Sequence, residues 1–248
     1  MSKVNLEAHD AVAVLRFNNG VTNAINPELV DDLAGKVKQI ESEFNGMVLA
    51  GGDKFFCIGF DLPMLLQLDR PDMAEFYIRF NQAVLDLYTL PMPTACAIAG
   101  HATAGGAIIA LSSDFRFVSS GRRFIGFNEV KIGIPIPYLT DLMLRQIVGD
   151  RCATALMFSG EFVEPEEAQR IGLVDDVFIP EDMEEKAVAK IAELAVLPTC
   201  GLTTIKNNRV ETVRSRYEEK RSADPDWFLD CWFNPAVQEL LKETAKKF

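Results

Sequence analysis

The chain has 248 residues, with 25 Lys+Arg against 36 Asp+Glu for a formal net charge of −11; 48% of residues are hydrophobic and 25% charged. That length can bury a large core without disulfide or metal staples, and that balance excludes a disordered or fibrous protein. An acidic chain repels a phosphate backbone, so no nucleic-acid partner is expected, although a local basic spot can still hold a phosphate-bearing small molecule.

Val12 to Phe17 reads as a strand ended by Asn18-Asn19-Gly20. Asn26 in the N-cap position and Pro27 at N1 open a helix whose apolar residues, Leu29, Leu33, Val37 and Ile40, fall at helical spacing. Met47 to Ala50 is a buried strand, and Phe55 to Leu62 packs bulky side chains around Gly59. Met64 to Tyr88 is mostly helical. Leu87 to Ser113 contains no Asp, Glu, Lys or Arg and is long enough to span a bilayer. Pro91, Pro93 and the many small residues favour instead a strand over Thr94–Ala99, a loop over Gly100–Gly106 and a helix from Ala107, so no membrane partner is expected.

Phe115–Ser119 and Phe124–Phe127 read as short strands. Tyr138–Val148, Arg151–Ser159 and Pro165–Arg170 read as helices, and Val174–Ile179 as a strand. From Glu181 onward the pattern is almost entirely helical, broken at Pro198, near Pro225 and at Pro235. Strands alternating with helices make the body α/β. Trp227, Phe228, Leu229, Trp232 and Phe233 need burial, either on the body of the chain or on a partner subunit, the latter being the favoured cover.

Cys57, Cys96, Cys152, Cys200 and Cys231 show no Cys-x-x-Cys spacing, and His9 and His101 lie far apart. No metal site is expected, and the chain reads as a reduced, cytoplasmic protein. Met1 to Asp10 lacks the apolar run of a signal peptide.

Two segments, Cys57-Ile58-Gly59-Phe60-Asp61 and Gly100 to Ala107, place glycine beside a strand end and ahead of a helix. Backbone N–H groups there point outward, and two converging ones can hold an oxyanion. Each segment alone is also an ordinary glycine turn. A third segment, Phe124 to Pro135, carries Glu129 in apolar surroundings. There it is either a desolvated base with a raised pKa or a surface turn glutamate paired with Lys131.

The three segments in this order resemble the crotonase superfamily, the enoyl-CoA hydratase/isomerase fold. The resemblance also rests on Asn23-Ala24-Ile25-Asn26, Phe56 to Leu62, Pro91-Met92-Pro93-Thr94, Gly100 to Asp114, Ser159-Gly160, Ala168 and Gly172-Leu173-Val174. It implies a spiral of ββα units over 1–195 and a C-terminal helical trimerisation region over 196–248, giving a homotrimer or a dimer of trimers. It also implies acyl-CoA thioester substrates, with coenzyme A as part of the substrate and no permanently bound cofactor.

Carried over by position, the Phe60 and Gly105 N–H groups would bind the thioester oxygen. Ala104 replaces one glycine of the usual run, at little cost if its φ is negative. The family's hydratases use two glutamates to handle water. The first position is Ile108 here, and the second is Glu129. One carboxylate suits proton transfer along a substrate, as in the Δ3,Δ2-enoyl-CoA isomerases, whose I-G-L-N-E run resembles Ile125-Gly126-Phe127-Asn128-Glu129. Ile58 would lie beside the adenine, Lys54 and Lys206 near phosphates, and Leu65 to Tyr88 along the acyl chain. Another crotonase-type reaction (hydratase, hydrolase or decarboxylase) and a non-catalytic acyl-CoA-binding subunit are the alternatives. His101, Tyr138 and Asp141 are left without an assigned role.

Overall fold

The computed structural model describes residues 2–246. After the antiparallel hairpin β1 (Val4–His9) and β2 (Val12–Phe17), helix α1 (Pro27–Glu43) leads into successive ββα turns. The first comprises β3 (Gly46–Ala50), β4 (Phe55–Cys57), α2 (Leu62–Leu65) and α3 (Arg70–Thr89). The second comprises β5 (Thr94–Ile98), β6 (His101–Thr103) and α4 (Gly105–Leu111). The third comprises β7 (Phe115–Ser119), β8 (Ile125–Gly126), a 3-10 turn over Glu129–Ile132 and α5 (Tyr138–Ser159). Then come α6 (Pro165–Arg170), β9 (Asp176–Phe178), α7 (Pro180–Ala195), α8 (Thr199–Lys220), α9 (Asp224–Trp232) and α10 (Pro235–Ala245).

The first strand of each turn joins a six-stranded sheet, β1-β2-β3-β5-β7-β9, and the second joins a small parallel sheet, β4-β6-β8. This is the spiral of ββα units expected from the sequence. Strands β1 and β6 have no counterpart among the elements expected from the sequence. Asn26 caps α1 by accepting from the Leu29 N–H at 3.0 Å, with Pro27 in the first turn. The helix expected over Met64–Tyr88 is instead α2 and α3. Asp69 accepts from the Asp72 N–H at 2.9 Å and Pro71 follows, so a new helix starts there. The two helices expected across Tyr138–Ser159 are present within α5, separated by a kink at Gly149, whose φ of +78° and ψ of 159° are not helical.

One apolar cluster extends from Val4 in β1 to Leu241 in α10. A smaller one lies on the other face of the large sheet, where α7 lays down Met183, Ala187 and Ile191 at four-residue spacing. The large apolar side chains of the tail divide: Phe228, Leu229 and Trp232 are buried within the chain, whereas Trp227 is 52% exposed. Intramolecular packing therefore covers most of the surface expected to need a partner. The charge-free stretch resolves into β5, β6 and α4, buried in the centre. No single helix among the described residues is long and apolar enough to cross a membrane.

Candidate active site

The two glycine segments meet through their backbones. Residue 25 bridges to residue 60 in parallel fashion: the Ile25 N–H donates to Gly59 O at 2.7 Å, and the Asp61 N–H donates to Ile25 O at 2.9 Å. That pairing turns the Phe60 N–H to the opposite side, where it meets no acceptor among the described residues. The Gly105 N–H opens α4 and is likewise unpaired among the described residues. The two loops touch, since a Cβ built on Gly59 would lie 2.9 Å from the Gly105 nitrogen. Gly59 also has φ +99°, so glycine is required there both for space and for conformation.

Ala104 precedes α4 with φ +49° and ψ −125°. The condition under which alanine would cost little, a negative φ, is not met: the turn takes a conformation that an L side chain resists, costing on the order of 1–3 kcal/mol. Neighbouring contacts hold it there. The Ala104 N–H donates to Gly126 O at 2.9 Å, and Ile108 N–H donates to Ala104 O at 3.0 Å. The strained turn aims the Gly105 N–H outward at a helix N-terminus, where the peptide dipoles favour negative charge.

Glu129 sits across the cavity in the 3-10 turn, 4% exposed. Its Oε2 has no hydrogen-bond partner. Burial without a cation pushes its pKa from the ordinary 4.5 up to about 7. The surface-turn alternative fails because Lys131 pairs with Glu161, Nζ to Oε1 2.6 Å, and leaves Glu129 alone.

Ile58, Phe60, Gly105, Ile108 and Glu129 line one cavity. Glu129 is the sole ionisable side chain among the described lining residues. Ile108 is 2% exposed, and further apolar walls come from Leu62, Ile132, Ile134, Pro135, Pro137 and Phe228. Such an arrangement can take a proton from an apolar substrate and stabilise negative charge on an adjacent oxygen.

Other expectations change. Lys206 is 6% exposed, and its Nζ donates to Asp114 Oδ2 at 2.8 Å and Met92 O at 2.8 Å. It is a buried structural cation and does not reach the cavity, so it is no phosphate partner. Lys54 remains exposed, its Nζ 5.3 Å above the Phe55 ring. Leu65 to Tyr88 do not line the cavity. Phe76 and Phe80 of α3 stand behind the Phe60 ring, at centroid distances of 5.1 and 5.0 Å. The walls that the sequence reading missed, Pro137 and Phe228, come from segments far along the chain. The cluster of large aromatics in α9 was the one available signal for Phe228.

His101 accepts from the Phe124 N–H at 2.9 Å through Nδ1 and stacks on the Phe124 ring, pinning β6 to β8. Its pKa is lowered by partial burial and by Arg123, Arg122 and Lys54. Tyr138 and Asp141 line a neighbouring surface groove, not this cavity.

The enoyl-CoA hydratase/isomerase family model matches residues 7–244. The human mitochondrial enoyl-CoA delta isomerase 1 is 27% identical over 243 residues, covering 96% of this chain and 80% of that protein. A putative enoyl-CoA hydratase from Thermus thermophilus is 34% identical over 191 residues, 74% of each. The crystal structure of human mitochondrial delta3-delta2-enoyl-CoA isomerase superposes with a TM-score of 0.94 at 26% identity, covering 99% of this chain and 97% of that one. With the crotonase fold, the family's model along nearly its whole length and these relatives, the chain belongs to the enoyl-CoA hydratase/isomerase family.

Proposed function

We propose that the protein is a Δ3,Δ2-enoyl-CoA isomerase that moves a 3-enoyl-CoA double bond to the trans-2 position. The observation carrying this reading is the lone buried carboxylate of Glu129, which lines the same apolar cavity as Phe60 and Gly105, the two residues with unpaired backbone N–H groups. The thioester oxygen accepts from Phe60 N–H and Gly105 N–H. Glu129, ionised, removes a proton from the α carbon. The electron pair shifts into a dienolate whose charge rests on that oxygen, held by the two donors. Protonated Glu129 then returns the proton to the γ carbon, and the double bond ends conjugated with the carbonyl.

A pKa of about 7 suits both halves of this cycle: the group is a competent base near neutrality and a ready acid once loaded. Ile108 supports isomerisation over hydration, because a buried isoleucine gives no polar group to hold a water beside the conjugated product. Among the phosphate partners expected from the sequence, exposed Lys54 is retained for the coenzyme A end of the substrate, with partly exposed Ile58 in the cavity lining.

The test is a spectroscopic assay with trans-3-hexenoyl-CoA and, separately, crotonyl-CoA. Formation of the conjugated 2-enoyl thioester from the first, with no hydration of the second, is the expected result. Hydration of crotonyl-CoA at an ordinary enzymatic rate would overturn the isomerase assignment in favour of a hydratase.

A further inference from the structure

One large side chain forms an immovable wall of the cavity. Ile58, Ala104, Asn128 and Thr244 line it and are partly exposed. Leu62, Pro137 and Phe228 line it and are buried. Phe228 is the largest of these and is 1% exposed.

Its ring has no room to swing. It stacks on Tyr77 with centroids 4.1 Å apart and planes 14° from parallel, and it lies 5.6 Å from the Trp232 ring. Its other neighbour is Phe60, at 6.4 Å edge-on, whose backbone supplies one of the two free N–H groups. The helix carrying it is also fixed. Asp224, one turn earlier on the same face of α9, accepts from Tyr77 Oη at 3.1 Å and from the Tyr138 N–H at 3.1 Å. A single buried carboxylate thus ties α9 to α3 and to the start of α5, with Phe228 clamped between them.

Resting on the acyl-thioester reading above, we infer that Phe228 is the chain-length stop of the acyl pocket and restricts the enzyme to short acyl groups. A chain reaching the Phe228 ring cannot bury further methylenes, because the space behind the ring is filled by Tyr77 and Trp232. Each methylene that does enter gains burial free energy, so affinity should climb with chain length and then stop.

The experiment uses saturated acyl-CoAs, which bind without reacting. Titration calorimetry with butanoyl-, hexanoyl- and decanoyl-CoA is run on the wild-type protein, on Phe228→Ala and on Phe228→Leu. The leucine variant keeps an apolar side chain in the core if the alanine variant fails to fold. The wild type is expected to bind decanoyl-CoA no more tightly than hexanoyl-CoA. Shortening the side chain is expected to improve the decanoyl-to-hexanoyl affinity ratio on the order of tenfold, less so for leucine. Wild-type affinity that keeps rising to decanoyl-CoA, or parallel profiles in all three proteins, would overturn the inference. Failure of any acyl-CoA to bind would overturn both the inference and the function on which it rests. The expected binding profile, with 3-enoyl-CoAs left unconverted, would sink the isomerase reading alone.

Discussion

Burial of the Glu129 carboxyl has two opposite consequences. Catalysis needs the ionised form, so kcat/KM for a 3-enoyl-CoA should rise with pH and level off above about 7, falling about tenfold per pH unit below it. Stability moves the other way. The folded chain holds this proton to about 7, whereas the unfolded chain releases it near the ordinary 4.5. Between those values the folded state binds more protons, so the stability contribution of this group declines as pH rises. Glu129→Gln should therefore lose about 10²–10⁴-fold in rate while gaining on the order of 3 kcal/mol in stability at about pH 8, read by urea unfolding. A variant that loses rate without gaining stability would mean that the folded protein does not pay for an unpaired charge there. Ala104→Gly offers a second check. If the positive φ at 104 is a strained alanine, glycine should raise stability by about 1 kcal/mol and keep the Gly105 N–H in place, with activity retained.

Individual elements show why some of the site was legible in the sequence and some was not. Gly59, Gly105 and Glu129 stood out because glycine beside a strand end and a carboxylate in an apolar run are local patterns. The cap at Asn26 and the breaks at proline were also local, and they hold. The conformation of Ala104 was not local: its φ is fixed by hydrogen bonds to Gly126 and Ile108, one of them in the next ββα turn. Lys206 misled for a related reason. On α8 it looks like any solvated lysine, and only the fold brings Asp114, 92 residues earlier, against it at 2.8 Å. Its pKa is lowered by burial despite that partner. Lys206→Ala would leave the partly buried Asp114 carboxylate with Arg209, the Thr94 N–H and the Thr94 hydroxyl as partners, and should cost on the order of 1–3 kcal/mol. KM for the acyl-CoA should stay unchanged, since Lys206 does not line the cavity; a raised KM with intact stability would restore it as a phosphate ligand.

At the scale of the whole molecule, the C-terminal helices take part in the main core. Val210, Tyr217, Phe228, Trp232 and Leu241 belong to the same apolar cluster as β1, α1 and α3. Each large apolar side chain removed from such a cluster withdraws about 1.5–3 kcal/mol. A chain cut after residue 195 should therefore lose its cooperative thermal transition, and a sharp transition in that fragment would show an independent core. What the helices leave uncovered is a groove bearing Val130, Phe158 and Trp227, the last two 79% and 52% exposed. This apolar rim supports the proposal of a homotrimer or a dimer of trimers. Light scattering should give a mass of at least three chains, and a monomer in dilute buffer would refute it.

Helix α4 is seated directly on strand β4: a Cβ at Gly106 would come within 2.0 Å of the Cys57 carbonyl oxygen. The part of the site that presents the two free N–H groups is thus joined main chain to main chain, through glycines at 59 and 106 that leave room for the contact. The side chains at 108 and 129 take no part in that joint, so exchanging them should alter the chemistry offered to a substrate while leaving the two free N–H groups in place.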